Sequence, residues 1–200
     1  MRIRSIVVGT AALALLAGCG TSGDTAGTPT TASQPTSTSG SGGAPKIDSP
    51  LDVKAFTADP CKTVTAVQVE AFGLPGVSGR ANTSPVGEAC LWNGVNTEAK
   101  MSPGVAFLLE GTNLSTILPN KDSTYAVFET LPAVQGYPTY LALPTDLRSR
   151  GNCSALVGVS DERAMFVTFS SLGGPKFSDP CAAVTEFANL AITTIKAGAK

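Results

Sequence analysis

Cysteine carries the most distinctive chemistry in this sequence of 200 residues, which has five cysteines and no histidine. A thiol can be acylated, form a disulfide, bind a metal ion or attack a substrate. Without histidine, the chain has no Ser-His-Asp or Cys-His arrangement, no histidine metal site and no histidine pH switch. It also has no Cys-x-x-Cys pair. We therefore expect no bound metal ion, no cofactor and no enzyme activity, and we consider acylation and disulfide formation.

Cys19 is the candidate for acylation. It follows a short positive segment with Arg2 and Arg4, an apolar run over residues 6–16, and the sequence Leu16-Ala17-Gly18. The run is too short for a permanent membrane span and is typical of a signal peptide. Leu16-Ala17-Gly18-Cys19 resembles the lipobox of bacterial lipoproteins, in which diacylglycerol is attached to the cysteine before the chain is cut in front of it. An ordinary secretory signal with a chance cysteine is the alternative.

These features predict three regions. Residues 1–18 are a lipoprotein signal peptide, and residues 19–50 are a flexible linker that begins at the lipid anchor. The linker consists almost entirely of Thr, Ser, Gly, Pro and Ala, which cannot bury enough apolar surface to order the chain. Residues 51–200 form one globular domain. Two acyl chains on Cys19 would hold this domain stably on the extracytoplasmic face of the cell membrane.

The remaining cysteines, Cys61, Cys90, Cys153 and Cys181, form an even set in an oxidising compartment, which predicts two disulfides. Four cysteines allow three connectivities, and the sequence does not decide between them. We favour Cys61–Cys90 with Cys153–Cys181, because each pair joins the start of a helix to a nearby strand.

Two helices are predicted from a repeated tripeptide. Asp59-Pro60-Cys61 and Asp179-Pro180-Cys181 each place an N-capping aspartate before a proline in the first turn. The first helix is broken by a second start at Thr65 and Gln68 and ends at Gly73, and its predicted inward residues are Val64, Val67 and Ala71. The second helix ends near Gly198, and its predicted buried face consists of Val184, Phe187, Ala188, Ala191 and Ile195.

Strand patterns occupy the sequence between the helices. Residues 155–159 and 164–169 predict an antiparallel hairpin. The other predicted strands cover residues 89–92, 105–109 and the segment after Gly136. The region 114–131 is ambiguous, with a short helix over residues 122–128. Together these elements predict an α+β fold, a single domain in which an antiparallel sheet has helices packed on one face and two disulfides join helix to sheet.

The order and spacing of several motifs identify a family. The motifs are the lipobox, the low-complexity linker, Asp59-Pro60-Cys61, Cys90-Leu91-Trp92, Gly136-Tyr137-Pro138, Cys153 before a valine-rich strand, and Asp179-Pro180-Cys181. Over residues 58–197 the chain resembles the actinobacterial lipoproteins called domain of unknown function 3558, which are common in mycobacteria and their relatives. The resemblance implies an envelope location and paired cysteines, and it supplies no catalytic residue.

Three aromatic residues are candidates for ligand or partner contact. Trp92 follows Cys90 closely, and Tyr137 and Tyr140 flank Pro138 at the start of a strand. Packing is the competing interpretation for all three, since a tryptophan beside a disulfide and tyrosines at a turn commonly lie in the core.

The predicted function is that of a non-enzymatic binding or accessory module in the bacterial cell envelope. Its partner would be an envelope protein, a lipid or a cell-wall component. The alternative is a carrier that holds a hydrophobic or lipid ligand in a cavity between helix and sheet. A nucleic-acid partner is not expected, because 14 basic and 15 acidic residues leave a net charge of −1 and the sequence has no basic stripe.

Overall fold

The structure is a computed structural model, and it describes residues 43–198. The predicted signal peptide, Cys19 and most of the predicted linker lie outside these residues. In the described part of the chain, no helix is both long and apolar enough to cross a membrane.

Seven antiparallel strands form one sheet in the order β1-β2-β3-β7-β6-β5-β4. The strands are β1 (Arg80–Ser84), β2 (Gly87–Leu91), β3 (Met101–Leu108), β4 (Val127–Val134), β5 (Tyr137–Leu143), β6 (Asn152–Gly158) and β7 (Ala164–Ser171). The helices are α1 (Lys54–Ala58), α2 (Ala66–Phe72), α3 (Leu114–Ile117), α4 (Lys121–Thr124) and α5 (Pro180–Gly198), with 3₁₀ turns at Pro60–Thr63, Leu118–Asn120 and Arg148–Arg150. The predicted α+β class, with an antiparallel sheet, is confirmed.

Helix α5 packs on one face of the sheet, here called the covered face. Its buried residues are the five predicted ones, all fully buried, together with Pro180, Ala183 and Ile192. On β6 and β7 every second residue faces α5, which is the alternation that the predicted hairpin requires. Cys153 pairs in register with Phe169, and Val157 pairs with Met165. The prediction of this helix and of the hairpin is confirmed.

The two Asp-Pro-Cys tripeptides have different local structures. Asp179 caps α5, because its Oδ1 accepts a hydrogen bond from the backbone N–H of Ala182 at 2.9 Å. Asp59 was expected to cap in the same way, but its side chain makes no capping hydrogen bond. Its carboxylate instead lies 3.3 Å from the ammonium group of Lys62. Pro60 starts only a single 3₁₀ turn, so the capping prediction is wrong for Asp59.

The predicted break in the first helical segment is confirmed. Thr65 and Gln68 form a reciprocal capping box at the start of α2, and Gly73 ends it with a φ of 106°. Of the predicted inward residues Val64 is buried, but Val67 is 77% exposed, and the buried residues of α2 are instead Val69 and Phe72. The reason is that the extended backbone at Val64 separates the 3₁₀ turn from α2. The helical periodicity therefore restarts at Ala66 in a new phase, and Ala71 is also exposed.

The disulfides are Cys61–Cys90 and Cys153–Cys181, the pairing that we favoured. The first joins the 3₁₀ turn to β2, and the second joins the first turn of α5 to β6. Each closes a loop of about 30 residues, for which the chain-entropy model gives roughly 3–4 kcal/mol of stabilisation.

The structure differs from the sequence-based prediction in the two edge strands of the sheet and in the helix predicted over residues 122–128. The helix predicted over residues 122–128 ends at Thr124, and Phe128 belongs to β4. Strands β1 and β4 are the two edges of the sheet. β1 is exposed along nearly its whole length and β4 has mixed exposure, so neither has a clean alternation of buried and exposed residues. This is why the sequence pattern did not reveal them.

The two tripeptides allow a matched test of capping. Asp179→Ala should lower the free energy of unfolding by about 1 kcal/mol, because it leaves an N–H group of α5 without its partner. Asp59→Ala should have a smaller effect, since it removes only an exposed ion pair. Urea unfolding of both variants in non-reducing buffer measures the difference. Equal losses of stability would contradict the assignment.

Candidate functional site

The face of the sheet opposite α5, here called the open face, is covered at one end only. Leu114 of α3 and Ile47 pack there on Gly158, the last residue of β6. A Cβ atom at Gly158 would lie 2.5 Å from a methyl group of Leu114, so a side chain at this position would displace Leu114. Ile47 also donates its N–H to Asp161 Oδ1 at 3.0 Å. The end of the predicted linker is thus part of the folded domain, next to the turn between β6 and β7.

The other end of the open face forms a groove of about 590 Å³, here called the sheet groove. Its floor consists of the beginning of β3 and of β6 together with β7, and its walls are residues 91–95 and 143–147. The residues that line it are Leu91, Asn93, Val95, Ser102, Leu143, Pro144, Thr145, Leu147, Asn152, Cys153, Ser154, Phe166, Thr168, Phe169 and Ser170. Every one of these side chains is uncharged.

Serine and threonine residues lie opposite one another on neighbouring strands of the groove floor. Ser102 pairs with Ser170, and Thr168 pairs with Ser154 on the neighbouring strand. Ser102 donates a hydrogen bond to Asn93 Oδ1 at 3.1 Å, and Ser154 donates one to the carbonyl of Ala142. Within residues 43–198 no hydrogen bond engages the hydroxyl groups of Thr168 and Ser170, which are partly exposed.

Gly104 of β3 makes room for two side chains that line the groove. It pairs in register with Thr168, and a Cβ atom at this position would lie 2.8 Å from Thr168 Oγ1 and 3.3 Å from a methyl group of Leu91. A side chain at position 104 would therefore displace Thr168 or Leu91 from its place in the groove.

An ion pair adjoins one wall of the groove. Arg148 donates to both carboxylate oxygens of Asp146, from Nε at 2.9 Å and from Nη2 at 2.6 Å. These hydrogen bonds lower the pKa of Asp146 from 3.8 to about 2. The carboxylate also accepts from the backbone N–H of Arg148, so the pair orders the chain just after Pro144 and Thr145.

A second depression, of about 710 Å³, lies at the opposite end of the domain and has a different lining. Three of its charged residues, Arg163, Glu110 and Asp161, have partners in the fold. Arg163 donates to the carbonyl of Leu108 at 2.7 Å and lies 3.7 Å from Glu110, and Asp161 accepts from Ile47. Among residues 43–198, no three His, Cys, Asp or Glu side chains come together in an arrangement that could hold a metal ion.

The three aromatic candidates lie apart, and none lines the sheet groove. Trp92 is 2% exposed and contacts Phe187 of α5 edge to face at 5.2 Å. Tyr137 donates its hydroxyl to the carbonyl of Ser49, and burial raises the pKa of its phenol. Tyr140 is 9% exposed and stacks on Phe128 at 5.2 Å.

Sequence reasoning missed the groove residues, although a signal for them existed. The predicted alternation in β7 placed Met165, Val167 and Phe169 on one face, which leaves Phe166 and Thr168 on the other. Nothing in that pattern indicated whether the second face would be covered. The space between α5 and the sheet, where the carrier alternative placed its ligand, holds the fully buried side chains of α5.

The fold and the groove define a class: a disulfide-linked α+β domain with an uncharged surface groove on its sheet. The chain matches the family model described as "Protein of unknown function (DUF3558)" over residues 14–194. This match covers most of the sequence, and the chain belongs to that family. No curated protein and no solved structure gives a significant match.

The ion pair beside the groove makes a prediction about pH. Arg148→Gln should raise the pKa of Asp146 from about 2 toward 3.8, because the charged donor is lost. A lowered pKa means that the pair is complete above about pH 4 and is lost as the pH falls through 2. An NMR titration of the Asp146 carboxyl measures this value. Arg150→Gln, at the other end of the same 3₁₀ turn, is the control and should leave it near 2.

Proposed function

We propose that this DUF3558 protein is an extracytoplasmic lipoprotein of an actinobacterial cell envelope. It is held on the membrane by diacylglycerol on Cys19, and it acts as a non-enzymatic binding module. The sheet groove is the binding surface. The observation that carries this proposal is the groove itself, a depression of about 590 Å³ whose hydroxyl and amide groups are available and whose side chains are all uncharged.

The chemistry of the lining favours binding over catalysis. General acid-base catalysis and nucleophilic catalysis both need a group whose proton can be removed near neutral pH, or a base beside a hydroxyl. The side chains of the sheet groove are hydroxyls, amides and apolar groups. Such groups recognise a ligand by hydrogen bonds and shape, which is the work of a binding site.

Two further observations support an extracytoplasmic location. Cys61–Cys90 and Cys153–Cys181 both connect separate elements of the fold, and disulfides of this kind persist mainly in oxidising compartments. The lipobox residues at Cys19 belong to the part of the chain that precedes the domain. A linker of about 30 residues with coil statistics would separate the domain from the membrane by about 30 Å on average.

The anchor is tested by mass. The mature protein should begin at Cys19 and carry a diacylglyceryl group, and Cys19→Ala should release the chain from the membrane fraction. Intact-mass spectrometry and membrane fractionation in an actinobacterial host measure both results. Cys61→Ala is the control, because it removes a different cysteine and leaves the lipobox intact. An unmodified thiol at Cys19 would overturn the proposed anchor.

The binding surface is tested by photocrosslinking in living cells. A photoreactive phenylalanine analogue in place of Phe166, on the floor of the groove, should form a crosslinked product with an envelope component. The same analogue in place of Val67 is the control, because Val67 is 77% exposed on α2, on the other side of the sheet. Thr168→Val should reduce the product formed at Phe166. No product at Phe166, or equal products at both positions, would overturn the assignment of the groove.

A further inference from the structure

We infer that the ligand of the sheet groove is a neutral glycan chain, held by hydrogen bonds from the floor and by contact with the ring of Phe166. This inference rests on the proposed binding function and specifies the class of ligand. It is carried by the absence of charge in the groove, by its unused hydrogen-bonding groups, by the partly exposed ring of Phe166 on its floor and by its position in the domain.

Charge argues for an uncharged ligand. All fifteen lining residues have side chains without charge. A phosphate, uronate or ammonium group placed here would lose water without gaining an opposite charge, which is costly. Binding of a neutral ligand avoids this penalty. The depression at the other end of the domain, which contains Asp52, Glu110, Asp161 and Glu162, offers a contrasting charged surface on the same molecule.

The free hydrogen-bonding groups match a ligand rich in hydroxyls. Asn93 Oδ1 already accepts from Ser102 and from the N–H of Val95, so its Nδ2 group remains as a donor. Asn152 uses Nδ2 to donate to the carbonyl of Arg150, so its Oδ1 remains as an acceptor. The hydroxyl groups of Thr168 and Ser170 can each donate and accept a hydrogen bond. Sugar hydroxyls have the same dual capacity.

The same groups argue against an acyl chain as the ligand. A hydrocarbon laid across the floor would exclude water from the hydroxyls of Thr168 and Ser170 and would offer no hydrogen bond in return. Leaving a polar group buried and unpaired weakens binding, because the group loses its water without gaining another partner. A glycan pairs these groups, and the apolar faces of its rings can lie against Phe166, Leu91 and Leu147, which also line the groove.

The position of the groove favours a ligand away from the membrane. The described chain enters the domain beside the turn between β6 and β7, where Ile47 and Leu51 are hydrogen-bonded to Asp161 and Val159. Asn152 and Ser170 lie at the opposite ends of those two strands. Seven residues of extended strand separate the two ends by about 20 Å. The segment that leads to Cys19 therefore leaves the domain at the end remote from the groove.

The test uses the exported chain with Cys19→Ala, so that the protein is released without its anchor. Isothermal titration calorimetry measures its binding to four neutral probes: maltohexaose, cellohexaose, a β-galactan hexasaccharide and a mannan hexasaccharide. Polygalacturonate and palmitate are the charged and the acyl probes. We expect saturable binding to at least one neutral hexasaccharide and none to the other two probes.

Variants then locate the binding. Thr168→Val and Phe166→Leu should each weaken glycan affinity about three- to tenfold, since a hydrogen bond or a ring contact contributes about 0.5–1.5 kcal/mol. Thr83→Val on the edge strand β1 is the matched control and should leave affinity unchanged. Far-UV circular dichroism and the unfolding midpoint show that each variant is folded.

The outcomes separate this inference from the proposed function. Binding of palmitate or polygalacturonate alone, or of no neutral probe, overturns the neutral glycan while leaving the photocrosslinking result at Phe166 to stand. Glycan binding that Thr83→Val weakens as much as Thr168→Val does overturns the assignment to the groove. The proposed binding function is overturned by a separate result, namely that the photoreactive analogue at position 166 forms no crosslinked product in the otherwise unchanged protein.

Discussion

The packing of α5 against the covered face of the sheet is the interaction on which the other features depend. Phe187 lies at its centre, in edge-to-face contact with Phe72 at 5.0 Å and with Trp92 at 5.2 Å. Four large apolar side chains of this helix are fully buried, and burial of each contributes on the order of 1.5–3 kcal/mol. They are Val184, Phe187, Ile192 and Ile195. Cys153–Cys181 ties the first turn of the helix to β6, and Asp179 caps its start. The tripeptide Asp179-Pro180-Cys181 thus caps the start of α5 and links that same end of the helix to the sheet.

Burial of the apolar residues on one face leaves the polar residues of the same strands on the other. Because side chains alternate along a strand, the row of Val167 and Phe169 beneath α5 requires Thr168 and Ser170 to point away from the helix. The sheet groove is therefore a direct consequence of the way α5 is packed. Leu114 and Ile47 cover only the end of this face near Gly158, and this partial cover decides where the groove begins.

The chemistry of the groove and its place in the molecule lead to one functional picture. Asp146 and Arg148 form an ion pair beside the wall, so these two charges near the groove are paired with each other. The floor presents hydroxyl and amide groups between apolar walls. A domain that binds neutral, hydroxyl-rich material at one end, and joins its linker at the other, would be suited to reach from a membrane toward the material above it.

What the sequence by itself determined was mainly local. The period of α5, the hairpin of β6 and β7 and the capping box at Thr65 follow from neighbouring residues, and all three are present in the structure. The pairing of the four cysteines could be favoured because helix starts and strands were recognisable, although three connectivities remained open. The resemblance to the DUF3558 family also followed from motif order, and the family match agrees with it.

Only the tertiary structure decided which surfaces are covered. Asp59 and Asp179 stand in identical tripeptides, yet only the second caps a helix, because the chain after Pro60 turns away after one 3₁₀ turn. Alternation in β7 fixes which residues share a face, but the cover of that face comes from Ile47 and Leu114, which are far from β7 in sequence. The position of the sheet groove depends on these long-range contacts, and no local pattern contains them.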